Sequence, residues 1–269
     1  MSSQKVLPGA TGETGALSLI AFPNLAYSGV KILIADISSP IEELATLLKG
    51  VYVFISAISR MALMEQVSVV MAAKEAGVKR FVPCGFATVC PAGGVNRVMR
   101  LRDQASVLRY PFTDVGYWYP FSFPHLPSGK IDDFTFPKMY SKMRGDGTAL
   151  NLITDLRDVG DFVARIVGDG RTLNKYDIYG SMEDVSGEKL ERKFQRSQGK
   201  EMEEEVLEAR KLFKEELENR KALGRVVSAE YEFSKYVRMD NRAVFARYLG
   251  YLDAREAYPD FQPRKFRVL

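Results

Sequence analysis

Gly9-Ala10-Thr11-Gly12-Glu13-Thr14-Gly15 stands between a short apolar run, Val6-Leu7, and the apolar opening of Ala16-Leu17-Ser18-Leu19-Ile20. This order reads as strand, glycine turn, helix. Glycines at three-residue spacing let the backbone turn sharply and leave no Cβ in the way of a ligand. The turn also aims unbonded N–H groups, with the positive end of a helix dipole, at one point. A dinucleotide pyrophosphate suits that point, and a tight turn with no ligand is the plainer alternative.

The downstream pattern repeats the theme. Gly29 to Asp36 is a nearly continuous apolar, β-branched run, as expected of a strand covered on both faces. Ser39-Pro40-Ile41-Glu42 predicts a helix start, with Ser39 as cap, Pro40 in the first turn and Glu42 completing a capping box. That helix should run to about Lys49 and stop at Gly50. Val51 to Ala57 is the next strand. Glu65 to Ala76 is a helix with Val67, Val70 and Met71 on its apolar side and Gly77 as its stop. Lys79 to Pro83 is a further strand, Asn96 to Arg109 a helix and Phe112 to Tyr117 a strand. Strands alternating with helices over short links predict an α/β fold, a parallel sheet with helices on both faces. Ligands of such sheets bind beyond the carboxyl ends of the strands, which here bear the glycine turn, Asp36, Ser56, Ala57, Cys84, Gly85, Phe86 and Tyr117 to Tyr119.

From Tyr119 the texture changes to an aromatic, proline-rich segment through Gly129 that includes Phe121 and His125. Such a loop either covers an apolar substrate or joins two subdomains. Leu150 to Thr154 and Lys175 to Tyr179 read as strands, Asp158 to Val167 as a helix. Glu201 to Ala222 reads as one long charged helix with a narrow stripe of Val206, Ala209, Phe213 and Leu217. Asp240-Asn241 should cap a last helix, Ala243 to Leu249. Residues 1–118 are thus read as a dinucleotide-binding part and 119–269 as a smaller α+β substrate region interleaved with it.

Composition narrows the chemistry. The chain has 269 residues, 46% hydrophobic and 27% charged, with a net charge of +4 whose lysines and arginines are scattered. No nucleic-acid footprint is visible. No apolar run reaches the ~18–20 residues a membrane span needs. The first residues lack the apolar core of a signal peptide, so a cytoplasmic protein is expected. Cys84 and Cys90 are expected as free thiols. His125, the only histidine, excludes zinc sites needing two or three, and no metal is expected. A small molecule is the expected partner, and a homodimer is left open.

Together these residues resemble the NmrA-like, isoflavone-reductase-type branch of the atypical short-chain dehydrogenases, the fungal members above all. The resemblance runs through GATGETG at Gly9–Gly15, GVKILIADIS at Gly29–Ser38, ISAIS at Ile55–Ser59 and EAGVKRFVPCGF at Glu75–Phe86. It continues through Arg102-Asp103, DVGYWYPFSFPHLPSGKID at Asp114–Asp132, TDLRDVGDFVARIV at Thr154–Val167, RTLNKY at Arg171–Tyr176 and YLGYLDAREAYPDF at Tyr248–Phe261.

The resemblance implies a Rossmann-like domain holding NADP(H), with NAD(H) as the alternative, and reduction of a small metabolite in fungal secondary metabolism. A redox-sensing regulator or inactive relative is the second reading. It places the cofactor on Gly9, Ala10, Thr11, Gly12, Glu13, Thr14, Gly15, Asp36, Ser56, Ala57, Cys84, Gly85 and Phe86. Tyr117, Tyr119, Phe121 and His125 would shape the substrate site. Only Ala16–Ser28 separates the glycine turn from Gly29, where the family places a second strand and its flanking helices. Its register puts Gln104 or Ala105 where family reductases carry a lysine, and Gln104 can donate a hydrogen bond there. The superfamily's Tyr-x-x-x-Lys spacing occurs as Tyr27/Lys31 and Tyr231/Lys235; among 13 tyrosines about one chance match is expected, and both read as coincidence. Tyr117 is therefore the first candidate proton donor, with Gln104 second.

Overall fold

The computed structural model describes residues 4–6, 35–58, 65–91, 113–119, 142–144, 149–172, 178–179, 183–186, 195–197, 199–215 and 220–264. Two compact units are woven from alternating segments: the first from 1–86, 104–113 and 157–178, the second from 87–103, 114–156 and 179–269.

In the first unit, β1 (Gln4–Val6), β2 (Val51–Ile55) and β3 (Arg80–Val82) form a parallel sheet in the order β1-β2-β3. Val53, Phe54 and Ile55 face Arg80, Phe81 and Val82 across the ladder. Helices α1 (Ile41–Leu47) and α2 (Gln66–Glu75) link the strands, as parallel strands require. Leu44, Ala45 and Leu48 pack with Val51, Phe54, Val69, Val70, Ala73 and Phe81, and the Phe54 and Phe81 rings stack with centroids 4.9 Å apart. Each large apolar side chain withdrawn from water here contributes roughly 1.5–3 kcal/mol.

Two local expectations are corrected. The N-cap of α1 is Pro40, not Ser39, and no side-chain capping bond forms there. Ser39 instead gives its N–H to the Asp36 carbonyl in the preceding turn. On α2 the buried positions are Gln66, Val69, Val70 and Ala73, at i, i+3, i+4 and i+7, while Met71 lies on the outer side, 41% exposed. Gly50 and Gly77, expected to stop these helices, do follow them with positive φ of 81° and 78°.

The long helix of this unit, α3 (Leu156–Gly168), buries Val159, Phe162, Val163 and Ile166. The buried Arg80 guanidinium closes its end. One nitrogen donates to the Ile166 carbonyl and to Thr172 Oγ1 at 2.9 Å, the other to the Asp169 carbonyl at 2.8 Å. A side-chain cation thus satisfies carbonyls that a helix terminus leaves unbonded.

In the second unit, β5 (Tyr117–Tyr119) runs parallel to β7 (Leu150–Asp155), which pairs antiparallel with β9 (Glu183–Ser186). Short strands β6 (Lys142–Arg144) and β10 (Gln195–Ser197) form a parallel pair. The strand expected over Phe112–Tyr117 is two: β4 (Thr113–Asp114) ends, the chain turns at Val115-Gly116, and β5 begins. The turn is fixed by the N–H groups of Val115 and Gly116, which both donate to the Ala87 carbonyl, and by a φ of 72° at Gly116. The helix expected over Glu201–Ala222 is likewise two, α4 (Gly199–Glu215) and α5 (Arg220–Tyr236). Val206 and Ala209 are buried on α4, as the stripe required, and Arg210 Nε meets the buried Glu230 of α5 at 2.7 Å.

Asn241 does not cap the last helix, α6 (Ala243–Tyr248), whose N-cap residue is Arg242. Buried completely, it accepts from the Val89 N–H at 3.1 Å and donates to the Leu152 carbonyl at 2.9 Å, while its own carbonyl accepts the Leu152 N–H. One side chain thereby ties the 87–90 segment to β7. No described helix is long and apolar enough to cross a membrane.

Candidate functional site

At the carboxyl edge of β1-β2-β3 the ladder continues one step beyond β2, where the Ser56 N–H donates to the Val82 carbonyl at 2.8 Å. Ser56 is buried, and Ala57 and Ile58 emerge part-way to the surface. Beyond β3, Cys84 is clamped by the buried Gln66 of α2. Its N–H donates to Gln66 Oε1 at 2.7 Å, and Gln66 Nε2 returns a longer bond of 3.5 Å to its carbonyl. The Cys84 thiol donates to the Ile58 carbonyl at 3.2 Å, so the two strand ends are held to each other. Burial pushes this thiol up to about 12, far from the thiolate a nucleophile needs. Gly85 is half-buried and Phe86 buried. Ser56, Ala57, Cys84, Gly85 and Phe86 thus gather at one sheet edge. They form an uncharged lip, the donor set that suits a ribose or an uncharged ring rather than a metal.

Asp36 lies exposed in a turn. Its Oδ1 accepts both the Ser38 hydroxyl at 2.6 Å and the Ser38 N–H at 2.9 Å. These bonds hold the carboxyl below its ordinary 3.8, the hydroxyl bond acting most strongly, so the group is an anion at neutral pH.

In the second unit Tyr117 opens β5 opposite Ile153 of β7 and is buried. The Lys235 ammonium of α5 stands over its ring, 3.7 Å from the centroid. The rings of Tyr231 and Tyr236 lie 4.5 Å and 4.9 Å from the same nitrogen. Lys235 is 1% exposed, an unusual depth for a lysine, and the three ring faces supply the electron-rich surroundings that make it tolerable. Below Tyr117 the backbone is held by the Gly116 turn, where a Cβ would come within 2.7 Å of the Leu152 carbonyl oxygen.

The glycine turn Gly9–Gly15, the Gln104 helix, Phe121 and His125 lie outside the described residues, as does the side chain of Tyr119. Among the described residues, no group of three His, Cys, Asp or Glu side chains could hold a metal ion. Sequence reasoning passed over Lys235, Gln66 and Asn241. For Lys235 the signal was there: Tyr231 and Lys235 are four residues apart on a helix, and such pairs touch. That its ammonium would reach Tyr117, on a strand far back in the chain, was not readable from local spacing.

Comparison with known proteins agrees with this architecture. The sequence profile of the NmrA-like family matches residues 18–95. Asnovolin J 5',6'-dehydrogenase nvfM of Aspergillus novofumigatus is 34% identical over 88% of this chain and 77% of its own length. An isoflavone reductase-like protein of Olea europaea is 33% identical over 55% of this chain, and the match spans about half (51%) of that protein. Among solved structures, leucoanthocyanidin reductase of Vitis vinifera, in a binary complex with NADPH, superposes with a TM-score of 0.73. That match covers 97% of this chain and 96% of the other at 18% identity, a likeness of fold, and the fold is the α/β Rossmann type.

Proposed function

The chain belongs to the NmrA-like, isoflavone-reductase-like family, and on that premise we propose that it is an NADP(H)-dependent oxidoreductase acting on a small metabolite of fungal secondary metabolism. The observation that carries the reading is the 34% identity to a fungal dehydrogenase, sustained over 88% of the chain.

Bound NADP(H) would supply or accept a hydride. The chain's own residues do the rest. Gly9, Thr11, Gly12, Thr14 and Gly15 would present N–H groups to the pyrophosphate. Asp36 would face the adenosine end, its Oδ1 engaged by Ser38 and its Oδ2 turned to other partners. Ser56 and Ala57 would line the path of the cofactor, and Cys84, Gly85 and Phe86 would border the nicotinamide. With its thiol protonated, Cys84 acts there as a wall and takes no part in bond making. Tyr117 would pass a proton to or from the substrate, and Gln104 would hold the substrate by a hydrogen bond. Tyr119, Phe121 and His125 would shape the pocket. The proposed cofactor residues all fall within 1–118, which is read as the cofactor-binding stretch, and 119–269 as the substrate-binding one.

Titration with NADPH, NADP+ and NADH, followed by thermal unfolding, tests the reading. A cofactor present at a hundred times its Kd should add roughly 2.7 kcal/mol to the stability. No shift with any of the three defeats the proposal. A shift with NADPH, followed by its consumption with candidate carbonyl and enone metabolites, supports the oxidoreductase. Binding with no turnover across a broad panel favours a dinucleotide-binding regulator.

A further inference from the structure

We propose that Lys235 is a positioning residue for Tyr117: its ammonium holds the Tyr117 ring in one orientation and stands as the positive charge that the phenol meets when it gives up its proton. The inference rests on the reading of Tyr117 as proton donor.

Tyr231 and Tyr236 belong to the same helix as Lys235, so their rings come with the lysine. Tyr117 does not; it sits on β5, and its ring is the nearest of the three, at 3.7 Å against 4.5 Å and 4.9 Å. The lysine therefore reaches off its helix onto the strand. Both partners are braced. Next to Lys235, Ser234 donates its hydroxyl to Asp240 at 2.7 Å, and one turn back Glu230 takes Arg210. Beside Tyr117, the Gly116 turn is held by the Ala87 carbonyl, and Asp114 accepts from Tyr251 at 2.6 Å.

The ionisable groups around the ring are Lys235, Tyr231 and Tyr236 from α5. From β7 the register partner is apolar Ile153, with Asp155 two steps further, opposite Tyr119. The nearby carboxylates Glu230 and Asp240 are engaged by Arg210 and by Ser234 with Arg238. When the Tyr117 O–H bond breaks, its electron pair stays on the phenol oxygen and delocalises into the ring, where a cation above the face is attracted more strongly than to the neutral phenol. The proton goes to a lone pair on the substrate, and water restores it afterwards.

The test labels the tyrosine Cζ atoms isotopically and follows their resonances with pH in the wild type, Lys235→Met, Lys235→Arg and Tyr117→Phe proteins. The resonance missing from Tyr117→Phe is that of Tyr117. In the wild type it should titrate below the main group of tyrosines. Lys235→Arg should keep it there, and Lys235→Met should move it up into the group. A lysine that merely filled space would leave the Tyr117 resonance where Lys235→Met leaves it. Should Lys235→Met fail to fold, the wild-type titration decides alone: a Tyr117 that titrates with the main group overturns the proposal. The NADPH thermal shift is measured on the same samples. A wild-type protein that ignores NADPH but shows a low-titrating Tyr117 loses the oxidoreductase reading and keeps the pair. One that binds NADPH but shows Tyr117 in the main group does the reverse.

Discussion

Tyr251 donates its hydroxyl to Asp114 Oδ2 across 2.6 Å, and both residues are buried, Asp114 completely. The bond joins the last strand region of the chain to the carboxylate two residues before the Gly116 turn. Tyr251→Phe keeps the ring and takes away a donor from a carboxylate that water does not reach. It should cost about 1–3 kcal/mol, read as a fall in the urea midpoint with an unchanged slope. A variant as stable as the wild type would show that the carboxylate is satisfied without Tyr251.

Gly116 and Gly77 offer a paired comparison. Both have positive φ, 72° and 78°, but a Cβ on Gly116 meets the Leu152 oxygen at 2.7 Å, whereas one on Gly77 meets nothing within 4 Å. Gly77→Ala should therefore pay only the backbone cost, roughly 1–2 kcal/mol. Gly116→Ala should lose clearly more, since β7 backbone must shift to admit it. Equal losses in thermal unfolding would mean that the approach to Leu152 is relaxed at no expense.

Cys84 governs part of the alkaline limb of stability. Its thiol is raised from 9.0 to about 12 by burial, so the fold favours the protonated form. The stabilising effect is complete below pH 9 and is lost as pH rises from there towards 12. Cys84→Ser, a poor match for that apolar burial, should unfold more easily at neutral pH and show a shallower decline between those limits. In the native wild type, a thiol-specific colorimetric reagent should label Cys84 at neutral pH only as fast as the protein opens.

Asp36 acts at the other end of the scale. Its depressed value gives stability that is present above 3.8 and is lost as pH falls through the lower value of the folded state. Ser38→Ala removes the hydroxyl bond, the stronger of the two causes. Unfolding midpoints followed below pH 4 should fall less steeply with acid in Ser38→Ala than in the wild type, where they fall with the Asp36 charge.

The strands and helices legible in the sequence are those whose burial is continuous or periodic. Val51–Ile55, Arg80–Val82 and Leu150–Asp155 appear as strands where apolar runs marked them, and Gly50 and Gly77 end helices where expected. What escaped depends on partners distant in the chain. Tyr117-Trp118-Tyr119 looked like the end of a strand and the start of a loop, because only the ladder to Ile153, Thr154 and Asp155 makes it a strand. Asn241 looked like a helix cap, since its residue type and place fit one. Its side chain was claimed instead by Val89 and Leu152, groups that would otherwise be buried without a bond. Arg80 and Lys235 are charged residues in apolar settings, and nothing in their neighbours along the chain names the carbonyls or rings that receive them. The sheet edge with Ser56, Ala57 and Cys84 was legible because strand ends can be read from strands; the Gln66 clamp on it was not.

The weaving of the two units from alternating segments has a genetic consequence. Each unit draws on three separate stretches, with changes of allegiance after residues 86, 103, 113, 156 and 178. No single crossover between this gene and that of a relative can exchange one unit whole; every recombinant with one joint inherits mixed parentage in at least one of them. Packing within each unit must therefore diverge along the whole reading frame together, and chimaeras should be designed by swapping all three stretches of a unit at once.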